Sequence, residues 1–139
     1  MIIKTIMTPN ILSVDMDASL ETIRDIFSKN KFNHLPVAED GRLMGLITDY
    51  DVREAISPYV DSSAETARDR ETLNRKAHQV MERCVVTICE TSSIAEGIKT
   101  LLENDLTCLL VLSEENMLAG IVTWKDFLRA FLQQQTGTA

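Results

Sequence analysis

The chain reads as an α+β protein: two β-α-β-β-α repeats packed about a pseudo-two-fold axis through their sheets. Two observations predict it. First, the sequence repeats itself. Residues Ile6 to Ile56 are echoed from Val80 to Phe131, with Met7 matching Met81, Val14 matching Ile88, Leu20 matching Ile94 and Phe27 matching Leu101, each pair 74 positions apart. One extra residue near Glu115 moves later matches to 75, so Gly45-Leu46-Ile47-Thr48-Asp49-Tyr50-Asp51 lines up with Gly120-Ile121-Val122-Thr123-Trp124-Lys125-Asp126. Second, each copy alternates short strand-like apolar runs with apolar residues at helical spacing. A unit that recurs at fixed spacing cannot bury its apolar face alone, so the two copies are expected to pack together.

In repeat one, Ile11-Leu12-Ser13-Val14 is a short apolar run suited to a strand. Ala18-Ser19 opens a helix with Leu20, Ile23, Ile26 and Phe27 as its core stripe, and the polar Ser28-Lys29-Asn30-Lys31 ends it. His34 to Ala38 is the next strand. Pro36 has no amide to donate, so an edge or a cleft is expected beside it. Glu39-Asp40-Gly41 is a tight turn, with glycine supplying a hairpin's positive φ. A strand from Leu43 to Thr48 and a short helix from Asp49 to Ile56 follow.

Repeat two copies this plan. Val85-Val86-Thr87-Ile88 is its first strand, and Ile94, Ile98, Leu101 and Leu102 form its helix stripe. Leu109 to Leu112 and Leu118 to Thr123 form the hairpin, and Asp126 to Gln133 the closing helix. Asn116 stands in for Gly41, since the left-handed region tolerates it, and Leu110 replaces Pro36. Between the copies, Asp61 to Ala77 carries both signs of charge and reads as a surface linker helix capped by Ser62 or Ser63. The chain thus divides into repeat one (1–60), a charged linker helix (61–76), repeat two (77–133) and a disordered tail (134–139) expected to fray.

The net charge is −7, made up of −3 over residues 1–60, zero over 61–76 and −4 over 77–139. No basic face stands out, which argues against a nucleic-acid partner. No apolar run of about 18 residues spans a membrane. The amino terminus lacks a basic start and long apolar stretch, so a cytoplasmic location is expected. Cys84, Cys89 and Cys108 make no C-x-x-C and read as reduced thiols. No metal-ligand spacing is present, although His34 and Cys108 hold equivalent positions and could approach across the axis. Neither a G-x-S-x-G nucleophile turn nor a G-x-x-x-x-G-K phosphate loop occurs, so no enzyme activity is expected.

The sharpest local pattern, a strand ending in G-h-h-T-x-x-D, occurs twice. Thr48 with Asp51, and Thr123 with Asp126, have the spacing of a capping box, in which threonine satisfies a helix amide and the acid reaches back. Three features point to a ligand instead. Capping boxes prefer Glu or Gln at the third position. Gly45 and Gly120 mark a place where a backbone approaches something closely. A hydroxyl, a carboxylate and a helix N-terminus suit a sugar-phosphate, the carboxylate accepting two ribose hydroxyls. His34 reads either as a polar strand end or as a phosphate contact. Trp124 reads as an interface aromatic or a base-stacking one. Met44 and Met117 read as packing.

Ile6-Met7-Thr8-Pro9, His34-Leu35-Pro36-Val37 and the two G-h-h-T-x-x-D segments together resemble a tandem pair of cystathionine-β-synthase-type (CBS) domains, a Bateman module. The resemblance implies a regulatory module that binds AMP, ADP, ATP or S-adenosylmethionine in clefts between its repeats and needs no other cofactor. Carried over, one cleft combines Thr123 and Asp126 with Asn10, Leu12, Phe32, Asn33, His34 and Pro36. The other combines Thr48 and Asp51 with Val85, Val86, Leu106, Thr107 and Cys108. Repeat two lacks Thr-Pro after Met81 and carries Leu110 for proline, so the first cleft is favoured. Cys108 stands where relatives often place a basic residue toward the phosphates, which argues against a triphosphate unless Lys125, His34 or Arg53 compensates. A homodimer, and a separate protein that responds to the ligand, are the implied partners. The competing expectation is a structural dimerisation scaffold with degenerate clefts.

Overall fold

The structure is a computed structural model describing residues 1–137. It divides into two compact units that cut across the sequence repeats: one holds Met1–Ile11 and the chain from Val86 onward, the other Leu12–Val85. The short segment leading into each repeat therefore packs in the unit built from the other repeat. The α+β character is as expected.

The Leu12–Val85 unit contains α1 (Leu20–Lys29), the hairpin β2 (His34–Glu39) and β3 (Arg42–Thr48), α2 (Asp49–Ala55), α3 (Ala67–Glu71) and α4 (Ala77–Val80). Asp40 and Gly41 make the hairpin turn with φ of 51° and 82°. Leu20, Ile23, Leu35, Val37, Ile47 and Leu73 form the centre of its core. The second unit contains β1 (Thr8–Pro9), β4 (Thr87–Cys89), α5 (Ile94–Asn104), β5 (Cys108–Leu112), β6 (Leu118–Thr123) and α6 (Trp124–Thr136). Its sheet runs β1-β6-β5-β4, with β4 parallel to β5 and the other pairs antiparallel. The first unit mirrors that order with single bridges in place of the outer strands: Glu82 pairs antiparallel with Leu46 of β3, and Val14 parallel with Val37 of β2.

The strand expected at Ile11–Val14 is thus one bridge, and Pro36 is the reason. Val14 donates to the Pro36 carbonyl and accepts from Ala38. The next bond back along the chain would need an amide on Pro36. Leu110, at the matching place in repeat two, has that amide. The ladder there extends to Thr87 opposite Leu110, so the strand expected at Val85–Ile88 forms over Thr87–Cys89.

The close approach expected at Gly45 and Gly120 is real, but the neighbour is the chain itself. A Cβ on Gly120 would collide with the Thr8 carbonyl, and one on Gly45 would lie 2.6 Å from Met81 Sδ and 2.9 Å from the Glu82 carbonyl. These glycines seat the two leading segments against β6 and β3.

Other expectations change. The linker is helical only over Ala67–Glu71, followed by a 3-10 turn at Thr72–Asn74; Thr66 caps it rather than Ser62 or Ser63, and Leu73 is buried in the core. Helix α6 continues to Thr136, past the Gln133 where fraying was expected, and ends at Gly137. Thr138 and Ala139 of the expected tail lie outside the described residues. Of the stripe expected to be core in α5, Leu101 is buried, whereas Ile98 and Leu102 are exposed. No helix among the described residues is long and apolar enough to cross a membrane.

Candidate functional site

Each Thr/Asp couple sits where the last hairpin strand of a repeat runs directly into a helix. Thr48 is extended, which ends β3 and makes it the N-cap of α2. Its amide donates to Asp51 Oδ2 at 3.0 Å, and the Asp51 amide donates to Thr48 Oγ1 at 3.1 Å. The Asp49 amide donates to the Asn33 carbonyl, and His34 lies opposite Thr48 across the hairpin. Asn33, His34, Thr48 and Asp51 are thereby gathered at one end of β2–β3.

The other unit repeats the arrangement. The Thr123 amide and hydroxyl both donate to Asp126 Oδ2, at 2.8 and 3.2 Å. The Trp124 amide donates to the Thr107 carbonyl, and Cys108 lies opposite Thr123. Here the second carboxylate oxygen is also engaged: Arg129, one turn along α6, donates to Asp126 Oδ1 at 3.0 Å. At Asp51, no group among the described residues bonds Oδ1.

The capping role is therefore realised at both couples, and a third box of the same type links Thr66 and Asp69 in the connecting segment. Aspartate closes the box as well as glutamate would, so the preference for Glu or Gln does not single out a ligand site. Capping uses only one carboxylate oxygen, however. A carboxylate offers about four lone-pair positions. Asp51 is held in one orientation by its cap and presents its other oxygen unbonded.

The remaining expected site residues fall into both units. Asn10 (φ 53°) follows β1, whose Pro9 pairs with Gly120, and it shares a unit with Val86, Leu106, Thr107 and Cys108. Leu12, Phe32, Pro36 and Val85 belong to the other. Leu12 and Asn33 are exposed, and Phe32, partly exposed, packs edge-to-face on Phe27. Pro36 is fully buried. Burial pushes the Cys108 thiol above its ordinary value, so it stays protonated and uncharged near neutrality. Among the described residues, no group of three or more His, Cys, Asp or Glu side chains is placed to hold a metal ion.

Two features escaped the sequence reading. The Arg129–Asp126 pair is legible as an i,i+3 spacing. The apolar groove between α5 and α6, about 350 Å³ and lined by Leu102, Leu106, Trp124, Leu128 and Phe131 among others, is not. Trp124 lies on that groove, and Leu106, expected beside a nucleotide, lines it too.

A model of the CBS domain family matches residues 3–58 and 77–133. The chain belongs to the CBS domain family, as a tandem pair. A CBS domain-containing protein of Dictyostelium discoideum is 30% identical over 91% of this chain and 88% of its own. An uncharacterized protein of Methanocaldococcus jannaschii is 28% identical over 94% of this chain but 47% of its own length, so the chain spans about half of that relative. Its crystal structure, described as that of a proposed archaeal homologue of γ-AMPK, superposes with a TM-score of 0.78. CBSX2, crystallised in complex with AMP, superposes with a TM-score of 0.78 at 23% identity, covering 96% of this chain and 98% of that one.

Proposed function

We propose that this chain is a regulatory module that binds an adenosine-containing ligand: AMP, ADP, ATP or S-adenosylmethionine. The Asp51 and Asp126 carboxylates accept the ribose hydroxyls. The single observation that carries this reading is that the cap at the start of α2 uses one Asp51 carboxylate oxygen, while Oδ1 is bonded by no group among the described residues. Asp126 has to exchange Arg129 for ribose, but Arg129 is two-thirds exposed. Such surface pairs are worth about 0–1 kcal/mol, so the exchange weakens binding by roughly fivefold at most. This reverses the preference drawn from the repeat irregularities: Asp51 becomes the stronger contact. The AMP in CBSX2 supports the ligand class.

The module acts as a homodimer in the cytoplasm, and ligand binding shifts its conformation toward a state read by a partner protein or by its own dimer. Its chemistry is binding, not catalysis. A second reading, a dimerisation scaffold that binds nothing, is favoured by the closed capping boxes. Thermal melting with AMP, ADP, ATP or S-adenosylmethionine separates the two. A ligand at a hundred times its dissociation constant adds about 2.7 kcal/mol of stability. At about 3 °C per kcal/mol for a chain of this size, the melting point rises by roughly 8 °C. No rise with any of the four supports the scaffold.

A further inference from the structure

A second cavity, of about 590 Å³, is lined by Met16, Asp17, Glu39, Met44, His78 and Arg83. All six belong to the Leu12–Val85 unit. Register separates it from the Thr/Asp couple. His34 lies opposite Thr48 at one end of the hairpin, and Glu39 opposite Arg42 at the other. At about 3.3 Å per residue, the length of β2 puts these ends roughly 17 Å apart. The cavity is therefore not the place where Asp51 would meet ribose.

Its walls are tied together by hydrogen bonds. The His78 amide donates to the Met16 carbonyl, and the Glu82 amide and carbonyl both pair with Leu46 of β3. The Met16 amide donates to Glu39 Oε1 at 2.8 Å, and Arg83 Nη2 donates to the His78 carbonyl at 3.0 Å. These bonds hold Glu39 and Arg83 but leave most of their capacity unused. Glu39 Oε2, the Asp17 carboxylate, the other Arg83 N–H groups and the His78 ring are bonded by no group among the described residues. Nor does an ion pair among the described residues join either acid to either base, although all four line one cavity.

Repeat two does not keep these residues. The Lys4 amide bonds the Glu90 carbonyl as the His78 amide bonds that of Met16, which fixes the correspondence. The positions matching Met16, Asp17, Glu39, Met44 and Arg83 are then Glu90, Thr91, Ser113, Ala119 and Pro9. Both acids, the arginine and both thioethers are replaced.

We infer that this cavity binds a free α-amino acid with an apolar side chain. A phosphate or a simple acid would bring its negative charge against Asp17 and Glu39. A simple amine would bring its positive charge against Arg83. A molecule carrying both charges suits all three: its carboxylate accepts from the Arg83 guanidinium, and its ammonium donates to Asp17 and to Glu39 Oε2. Met16 and Met44, packed partly buried against the core, receive the side chain. Thioethers adapt to apolar groups of varied shape. The volume falls within the roughly 300–1,000 Å³ of small-molecule sites. This inference does not depend on nucleotide binding, since the two sites share no residue.

NMR of protein labelled at its methionine methyls, titrated with L-leucine, tests this. With L-leucine at about 10 mM, well above a millimolar dissociation constant, the Met16 and Met44 signals shift while those of Met7 and Met117, in the other unit, stay in place. Isocaproate lacks the ammonium of leucine and isoamylamine lacks its carboxylate, and each binds at least about tenfold more weakly. Glu39→Gln keeps an acceptor for the Met16 amide, and Arg83 is exposed, so Glu39→Gln and Arg83→Gln retain the wild-type circular dichroism. Each weakens L-leucine at least about tenfold. Unmoved Met16 and Met44 signals, equal binding of either one-charge analogue, or wild-type affinity in both variants overturns the proposal. Nucleotide binding is read separately by melting with AMP, so failure of one reading leaves the other standing.

Discussion

Replacing Gly120 with alanine puts a methyl group against the Thr8 backbone carbonyl, with Met7 Sδ 3.1 Å away on another side. A backbone carbonyl cannot swing aside, so β1 must lift from β6 and strain the pairings of Thr8 with Ile121 and Pro9 with Gly120. Overpacking of this kind costs about 1–3 kcal/mol, and the upper half applies because the obstacle is backbone. Gly45→Ala meets Met81 Sδ first, a flexible thioether that can rotate away, although the Glu82 carbonyl at 2.9 Å still resists. About 1–2 kcal/mol is expected there. At about 3 °C per kcal/mol, Gly120→Ala lowers the melting point by roughly 6–9 °C and Gly45→Ala by roughly 3–6 °C. Melting is followed by far-UV circular dichroism without ligand, and hydrogen exchange at Thr8 reports the lifted strand. If these glycines instead exist to admit a ligand, both variants melt as wild type and lose only binding. That outcome would refute the seating role.

Leu73→Ala removes a fully buried side chain that ties the connecting segment to the core, and about 2–4 kcal/mol of stability is expected to be lost in urea unfolding. Burial raises the Cys108 thiol pKa, so iodoacetamide alkylates it more slowly than the exposed Cys84 at pH 8, and the gap narrows in denaturant. Equal native rates would contradict the burial. Bonds from the Thr66 amide, and then from the Ser57 and Thr66 hydroxyls, hold the Asp69 carboxyl below its ordinary range. A depressed folded value means its contribution is fully present above the unfolded carboxylate value of about 3.9 and disappears as pH falls through the folded one. NMR titration of Asp69 therefore ends below that of an unstructured aspartate, and Ser57→Ala moves it upward.

The repeat and most of its elements were legible because a fixed offset ties each residue to a twin, and because hairpin turns need positive φ at Gly41 and Asn116. Strand lengths were not. Whether Ile11–Val14 could pair depended on which amide faced it, and Pro36 removed that amide across a ladder no local window reveals. The segment leading into each repeat was assigned to its own repeat, yet it packs in the other unit, where Gly45 and Gly120 make room for it. Periodicity placed Ile98 and Leu102 on a core stripe, because apolar residues at helical spacing read alike whether the structure buries them, as it does Leu101, or leaves them exposed. The T-x-x-D couples carried the deepest ambiguity. The same spacing fits a helix cap or a sugar-binding carboxylate, and the structure gives each couple the cap, with Asp51 Oδ1 bonded by no group among the described residues.

Glutamate at the third position keeps a capping box intact but moves the carboxylate by one methylene. Asp51→Glu combined with Asp126→Glu therefore separates the two roles. Isothermal titration with AMP should give binding heat with the wild type, and at least about tenfold weaker binding with the double variant, equivalent to about 1.4 kcal/mol, while its melting point without ligand is unchanged. Wild-type affinity in the double variant would contradict recognition of ribose by these carboxylates.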